Sequence, residues 1–258
     1  NNSPINSGIL DIAVILYHIE PEFIILNSQP FKGGFIGVDI FFVISGYLIT
    51  KIILKELFET GSFSFKYFYE RRVRRIIPPI LFVIIVSIIF SWIYLLPAYF
   101  TDYANSIIYT IGFSSNFYFY NSGLEYGSLD GFFKPFLHTW SLSIEEQFYL
   151  IFPISLFFMF KFSKKRLLTF FITIIILSLL IANFSSKNFP DVSFYFLHTR
   201  MWELTSGSLL AYLEIKKGYR SQSNIMKIYM PYVGLILILH SFIFFYDEMF
   251  HPSIYTLS

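Results

Sequence analysis

The sequence predicts an all-α fold: a polytopic transmembrane helix bundle of about seven to eight membrane segments, one of them re-entrant. Two observations lead there directly. Of the 258 residues, 55% are hydrophobic and 14% charged, with a mean hydropathy of +0.60, whereas an ordinary soluble domain carries roughly 25% charged residues. Long runs also lack any Asp, Glu, Lys or Arg: 76–101, 167–186, 228–246, and 147–160 with its polar lead-in. A helix needs about 20 residues to cross a hydrocarbon core of about 30 Å. The basic residues supply a third observation, because they gather in the loops between these runs.

Taken in order, the hydrophobic segments fall at 9–19, 35–54, 76–99, 103–120, 137–160, 167–184, 201–213 and 228–246. They recur along the whole chain and the start lacks a basic region, so no cleavable signal peptide is expected. Three loops carry the basic excess: 51–75, 161–166 and 216–227. Cytoplasmic loops hold the excess of Lys and Arg, which places all three inside. The segment at 103–120 would spoil the alternation of crossings, and it carries Asn105, Ser106, Ser114, Ser115 and Asn116. It is therefore expected to re-enter or to lie along the outer face, where its backbone is covered by protein or water. His18, Asp39, His138, Arg200 and Glu203 then fall at the outer ends of their helices, and Arg71 to Arg75 at the inner face.

Charges inside such a bundle are costly and are by default candidates for function. The pair Glu145-Glu146 stands at the head of an apolar helix, and at 3.6 residues per turn His138, Ser141 and Glu145 share one face. His18 closes the first apolar segment beside Glu20; an imidazole with an ordinary pKa near 6.5 serves as a general base or nucleophile at neutral pH. Asp39 lies on the face of Phe42 and Gly46, in a run where Gly33, Gly34, Gly37, Ser45 and Gly46 allow close backbone approach. Arg72 and Arg75 share a face within Arg71-Arg72-Val73-Arg74-Arg75, and guanidinium forks suit phosphate. Arg200 and Glu203 sit one turn apart at the outer surface, with an isolated ion pair as the simpler account. His198 and His251 read as surface histidines, and His240 as a hydrogen bond between helices. The net charge of +2 is too scattered for nucleic acid, and the absence of cysteine excludes disulfides, thiolate metal sites and a cysteine nucleophile. No metal site is expected.

Taken together, the stretches 16–18, 33–47, 68–78, 115–119, 135–149 and 199–203 resemble the acyltransferase family 3 of membrane proteins. That group includes bacterial acetylases of exopolysaccharide and of the O-antigen of lipopolysaccharide. The resemblance runs in family order across nearly the whole chain and implies a single membrane domain over 1–258. It implies transfer of an acyl group, commonly acetyl, from cytoplasmic acyl-CoA to a hydroxyl of a glycan, glycolipid or lipid-linked saccharide at the outer face. It implies a multi-pass protein of the bacterial cytoplasmic membrane, in contact with membrane lipid, with acyl-CoA as donor substrate and no permanently bound cofactor. It assigns catalysis to His18, with Glu145 or Glu146 orienting or charge-balancing the imidazole. Asp39, His138, Ser141, Arg200 and Glu203 would line the acceptor pocket, and the arginines Arg71, Arg72, Arg74 and Arg75, as the pair Arg71/Arg74 or the pair Arg72/Arg75, would bind the CoA phosphates. The family has a basic residue eleven positions before the histidine, where this chain has Ser7, and it commonly has ten spans. The expectation is therefore a domain incomplete at its C-terminus and in its first helix.

Two other readings compete: a non-enzymatic membrane carrier, and an inactive acyltransferase remnant. Carriers commonly show internal repeats and broken helices near the midplane. No repeat is present, and the polar groups cluster at one end, which favours chemistry.

Overall fold

The computed structural model describes residues 36–123, 131, 133–217, 229, 232–238, 240, 241 and 251–253, and among these it is helical with no strand. His18 and the glycines at 33 and 34 lie outside the described residues. The helices are α1 (Ile36–Thr60), α2 (Phe65–Tyr94), α3 (Pro97–Ile111), α4 (Ser115–Asn121), α5 (Thr139–Ser163), α6 (Leu167–Asn188), α7 (Pro190–Tyr195) and α8 (Leu197–Lys217). Among the described residues, three stretches are long and apolar enough to cross a membrane: α1, α2, and Thr139–Asn188, which joins α5 to α6 through the 3-10 turn Lys164–Arg166.

Helix α2 starts eleven residues before the apolar run that announces it. Ser64 caps it, accepting a hydrogen bond from the Tyr67 amide at 3.4 Å, and Phe65 packs edge-on against Phe157 of α5. Hydropathy marks what faces lipid, whereas the cap and these aromatic contacts decide where the helix begins. The arginines thus stand within a helix rather than in a loop before one.

The segment expected to re-enter is broken in two. Gly112, Phe113 and Ser114 donate to the carbonyls of Ile108, Thr110 and Tyr109, so α3 ends in a Schellman turn with Phe113 in the left-handed region at φ +50°. That conformation costs a non-glycine residue about 1–2 kcal/mol. It is held from outside: the Gln147 side chain donates to the Phe113 carbonyl at 3.0 Å and to Asn116 Oδ1 at 2.8 Å. Behind the turn, hydroxyls of Thr110, Thr139, Ser115 and Ser143 link in a chain at 2.8–3.2 Å. Thr110, Ser115 and Asn116 are thereby satisfied against α5, while the hydroxyls of Ser106 and Ser114 donate to carbonyls of α3.

Contacts give the direction of each helix. Asp39 meets Arg200, and Lys51 meets Glu214, so α1 and α8 run parallel. Ser45 meets Tyr149 and Phe58 meets Phe160, so α5 runs the same way. Phe65 against Phe157 and Tyr69 against Tyr149 set α2 antiparallel to them, as Phe171 against Tyr212 and Ser178 against Trp202 do for α6. Lys51, Lys161, Lys164 and Lys216 therefore collect toward one end of the bundle, and Asp39, His138 and Arg200 at the other.

The tightest seam is α1 against α8. A Cβ on Gly46 would fall 1.8 Å from the Leu204 carbonyl oxygen, and one on Gly207 1.8 Å from that of Val43. Small residues facing each other let two backbones touch, which is how helices gain dispersion contacts where water supplies no hydrophobic drive.

Candidate active site

The parallel α1–α8 seam brings the first turns of both helices to one level. There Arg200 is 1% exposed and Glu203 0%, so the pair expected at the outer surface is buried. Nor is it isolated. Arg200 Nη1 donates to Asp39 Oδ1 at 2.8 Å, to Glu203 Oε1 at 3.3 Å and to His251 Nε2 at 2.8 Å. The guanidinium lies 5.5 and 5.2 Å from the ring centroids of Trp140 and Phe194, which pack against each other at 4.4 Å. Such a group would be prohibitively costly in an apolar medium without these partners. Asp39, Arg200 and Glu203, read separately from the sequence, are thus one cluster. His251 corrects the sequence reading: its side chain is 9% exposed and belongs to the same cluster.

About six residues further along α1, or about 9 Å at 1.5 Å per residue, lies a second group. Glu145 is 5% exposed. The Tyr149 hydroxyl donates to its Oε2 at 3.3 Å, and Ser45 in turn hydrogen-bonds the Tyr149 oxygen. Ser45, expected only to permit close backbone approach, therefore also supplies a proton donor. Glu145 Oε1 and Glu146 Oε1 are buried and have no hydrogen-bond partner among the described residues. Tyr149 sits at i+4 from Glu145, so helical spacing could have revealed it.

Arg72 reaches the same level. Its guanidinium lies 4.3 Å from the Tyr149 ring centroid, and it lines a cavity of about 260 Å³ with Tyr69, Glu146, Gln147 and Tyr149, over Val73, Ile76 and Leu150. The four arginines expected together at the basic face are therefore divided. Arg72 points into the bundle, midway along α5; Arg71 lies over Tyr67, Arg74 is paired with Glu70 at 2.7 Å, and these two and Arg75 are exposed. The early start of α2 causes the division, because one helical turn cannot aim all four guanidinium groups the same way.

His138 and Ser141 fit the expected shared face less well. His138 is the residue just before α5 and is exposed, while the Ser141 hydroxyl donates to the His138 carbonyl at 3.1 Å. They mark the mouth of the helix rather than the level of Glu145. His18 lies outside the described residues, so its distance from the carboxylates does not enter this geometry.

A buried carboxylate pair, a guanidinium at its level and a charged cluster one step toward the other end form an arrangement that family comparison can test. The model of the acyltransferase domain of family 3 matches residues 8–258. The chain belongs to acyltransferase family 3. Among curated relatives, it is 34% identical over 205 residues to the O-acetyltransferase OatA of Staphylococcus aureus strain NCTC 8325 / PS 47. It is 39% identical over 207 residues to the peptidoglycan O-acetyltransferase OatA of Listeria monocytogenes serovar 1/2a. Each match covers 78% of this chain and 32% of the relative, so the chain spans about a third of the length of these family members. No solved structure matches. All the clusters described above lie inside the matched acyltransferase 3 region.

Proposed function

We propose that this chain is the membrane part of an O-acetyltransferase that moves an acetyl group from acyl-CoA, entering from the basic end, to a hydroxyl of peptidoglycan at the Asp39–Arg200 end. The observation that carries this reading is the Oε1 of Glu145, without a partner among the described residues and buried in the bundle between a guanidinium on one side and an ion cluster on the other. A carboxylate oxygen held there without a donor is set to receive one, and the imidazole N–H of His18 has the right chemistry.

In this scheme Arg72 faces the donor and the cavity beside it takes the acyl-thioester end. Its volume suits that end and not a nucleotide, since sites for drug-sized ligands run to about 300–1,000 Å³. His18 either takes the proton of the acceptor hydroxyl or carries the acetyl group between the two substrates. In both cases a thioester C–S bond breaks, an ester C–O bond forms, and the acceptor's proton ends on the CoA thiol. Glu145, held by Tyr149, orients the imidazole and balances the charge it gains. Asp39, Glu203 and His138 receive the acceptor. The basic end lies in the cytoplasm, following the loop charges.

Membranes carrying the chain should transfer label from acetyl-CoA to peptidoglycan fragments, and Glu145→Gln should lower the rate by about 100-fold or more at unchanged protein level. Equal rates for wild type, Glu145→Gln and His18→Ala would remove this centre from the reaction. Labelled solute crossing the membrane without any ester formed would instead support a carrier.

A further inference from the structure

Nothing in the family comparison accounts for His251, which comes from a stretch about fifty residues beyond Arg200 and reaches the cluster from outside both α1 and α8. Its placement follows from its contacts with Arg200 and Asp39. Arg200 stands in the first turn of α8, at the Asp39 end, and the contact with His251 is made there. Pro252 and Ser253, next to it, are buried with it.

The hydrogen-bond chemistry is constrained. Arginine only donates, so the contact at 2.8 Å makes His251 Nε2 an acceptor and puts the ring hydrogen on Nδ1. The Asp39 Oδ1 that lies 3.4 Å from Nε2 accepts from the same guanidinium nitrogen. Arg200 Nη1 has two hydrogens and three acceptors around it. The two shorter contacts, at 2.8 Å, go to Asp39 and His251, and Glu203 is left with the longer one at 3.3 Å. Two carboxylate oxygens in the cluster, Asp39 Oδ2 and Glu203 Oε2, are buried with no partner among the described residues. Without the imidazole, the guanidinium would be free to turn and pair more fully with either carboxylate, as arginine forks do.

We propose that His251 is a positioning residue of the acceptor end: by occupying one Nη1 hydrogen of Arg200 it keeps Asp39 Oδ2 and Glu203 Oε2 open to receive hydroxyl groups of a sugar. This rests on the acetyltransferase reading above. Sugar hydroxyls are the matching class, because they donate to carboxylates and carry no charge that a buried site would have to neutralise. Among the described residues, Asp39 from α1 and Arg200 from α8 face His251, and Glu203 shares the same guanidinium nitrogen. When His251 takes up a proton, Nε2–H confronts the guanidinium and turns to Asp39, so the arrangement is lost on the acid side.

The test compares wild type, His251→Ala and His251→Gln in liposomes, with acetyl-CoA as donor and soluble peptidoglycan fragments as acceptor, from pH 5 to 8. His251→Ala should raise the acceptor KM about 10-fold, the scale of one hydrogen bond to a charged group, and leave the acetyl-CoA KM within about twofold. His251→Gln, whose side-chain oxygen can accept from Nη1, should restore most of that affinity and lose the acid limb. Wild-type kinetics in both variants, or equal damage to both KM values in both variants, overturns the proposal. If wild type forms no ester at all, the acetyltransferase reading fails. The nitrogen-15 spectrum of histidine-labelled protein then decides the placement, since the signal missing from His251→Gln must show the Nδ1–H tautomer at pH 7.5. The opposite tautomer there overturns the proposal whatever the activity.

Discussion

Gly46 of α1 and Gly207 of α8 each face the other helix's backbone at a distance that leaves no room for a methyl group. Because the obstacle is a carbonyl and not the end of a flexible side chain, neither helix can yield without breaking the register that joins Asp39 to Arg200. Alanine at either position should destabilise the protein by about 3 kcal/mol or more, at or beyond the upper range for overpacking. Gly234→Ala, which meets nothing within 4 Å in a helical stretch, should be neutral or stabilising by up to about 1 kcal/mol. Thermal melts in detergent separate the two outcomes.

Gln147 holds the left-handed Phe113 in place and ties α4 to α5. Gln147→Leu would strand the Phe113 carbonyl and Asn116 Oδ1 at a cost of about 1–3 kcal/mol. The change should be local. Amide exchange over residues 112–117 should speed up by at least about tenfold, while α1 and α8 keep their protection; unchanged exchange at the turn would show that it needs no such support.

The position of Arg72 on the Tyr149 ring predicts that charge alone does not replace it. Arg72→Lys keeps the charge but loses the planar stack, and the acetyl-CoA KM should rise about 10-fold, the scale of one strong contact. Arg74→Ala, removing an exposed pair with Glu70, should change it less than twofold. Initial rates against acetyl-CoA concentration decide this, and equal effects would return the arginines to a single undivided patch.

Burial pushes the His251 imidazole below its ordinary pKa, with Arg200 acting in the same direction and Asp39 opposing both. The unfolded chain, at about 6.5, therefore binds the proton more readily than the folded one. The stabilisation is complete above that value and is lost as pH falls through it toward the lowered folded pKa. Melting temperature should thus drop on going from pH 7.5 to pH 5 more steeply in wild type than in His251→Gln. Parallel curves would show that the imidazole has no protonation preference in the fold.

Much of this arrangement was legible beforehand for a simple reason. A charge in an apolar run must be satisfied somewhere inside, so Asp39, Glu145, Arg200 and Glu203 announced themselves by position alone. Polar residues at 103–120 likewise announced a segment that lipid would not accept. Tyr149 was recoverable from i+4 spacing to Glu145, but a tyrosine among 19 in the chain carries no such signal without the carboxylate's exact direction. His251 could not be found, because a histidine after the last apolar run looks the same whether water or Arg200 surrounds it.

The sequence by itself determined the helical class, the membrane-length runs, the gathering of basic residues between them and the family. Those depend on composition and on periods along one chain segment. Only the tertiary structure decided that Asp39, Arg200, Glu203 and His251 share one guanidinium, that Arg72 stands level with Glu146 and apart from its neighbours, and that α1 and α8 run parallel in backbone contact. Each of these depends on which residues meet across distant parts of the sequence, 161 positions for Asp39 and Arg200 and 51 for Arg200 and His251, and such meetings are set by close packing of whole helix faces, as at Gly46 and Gly207.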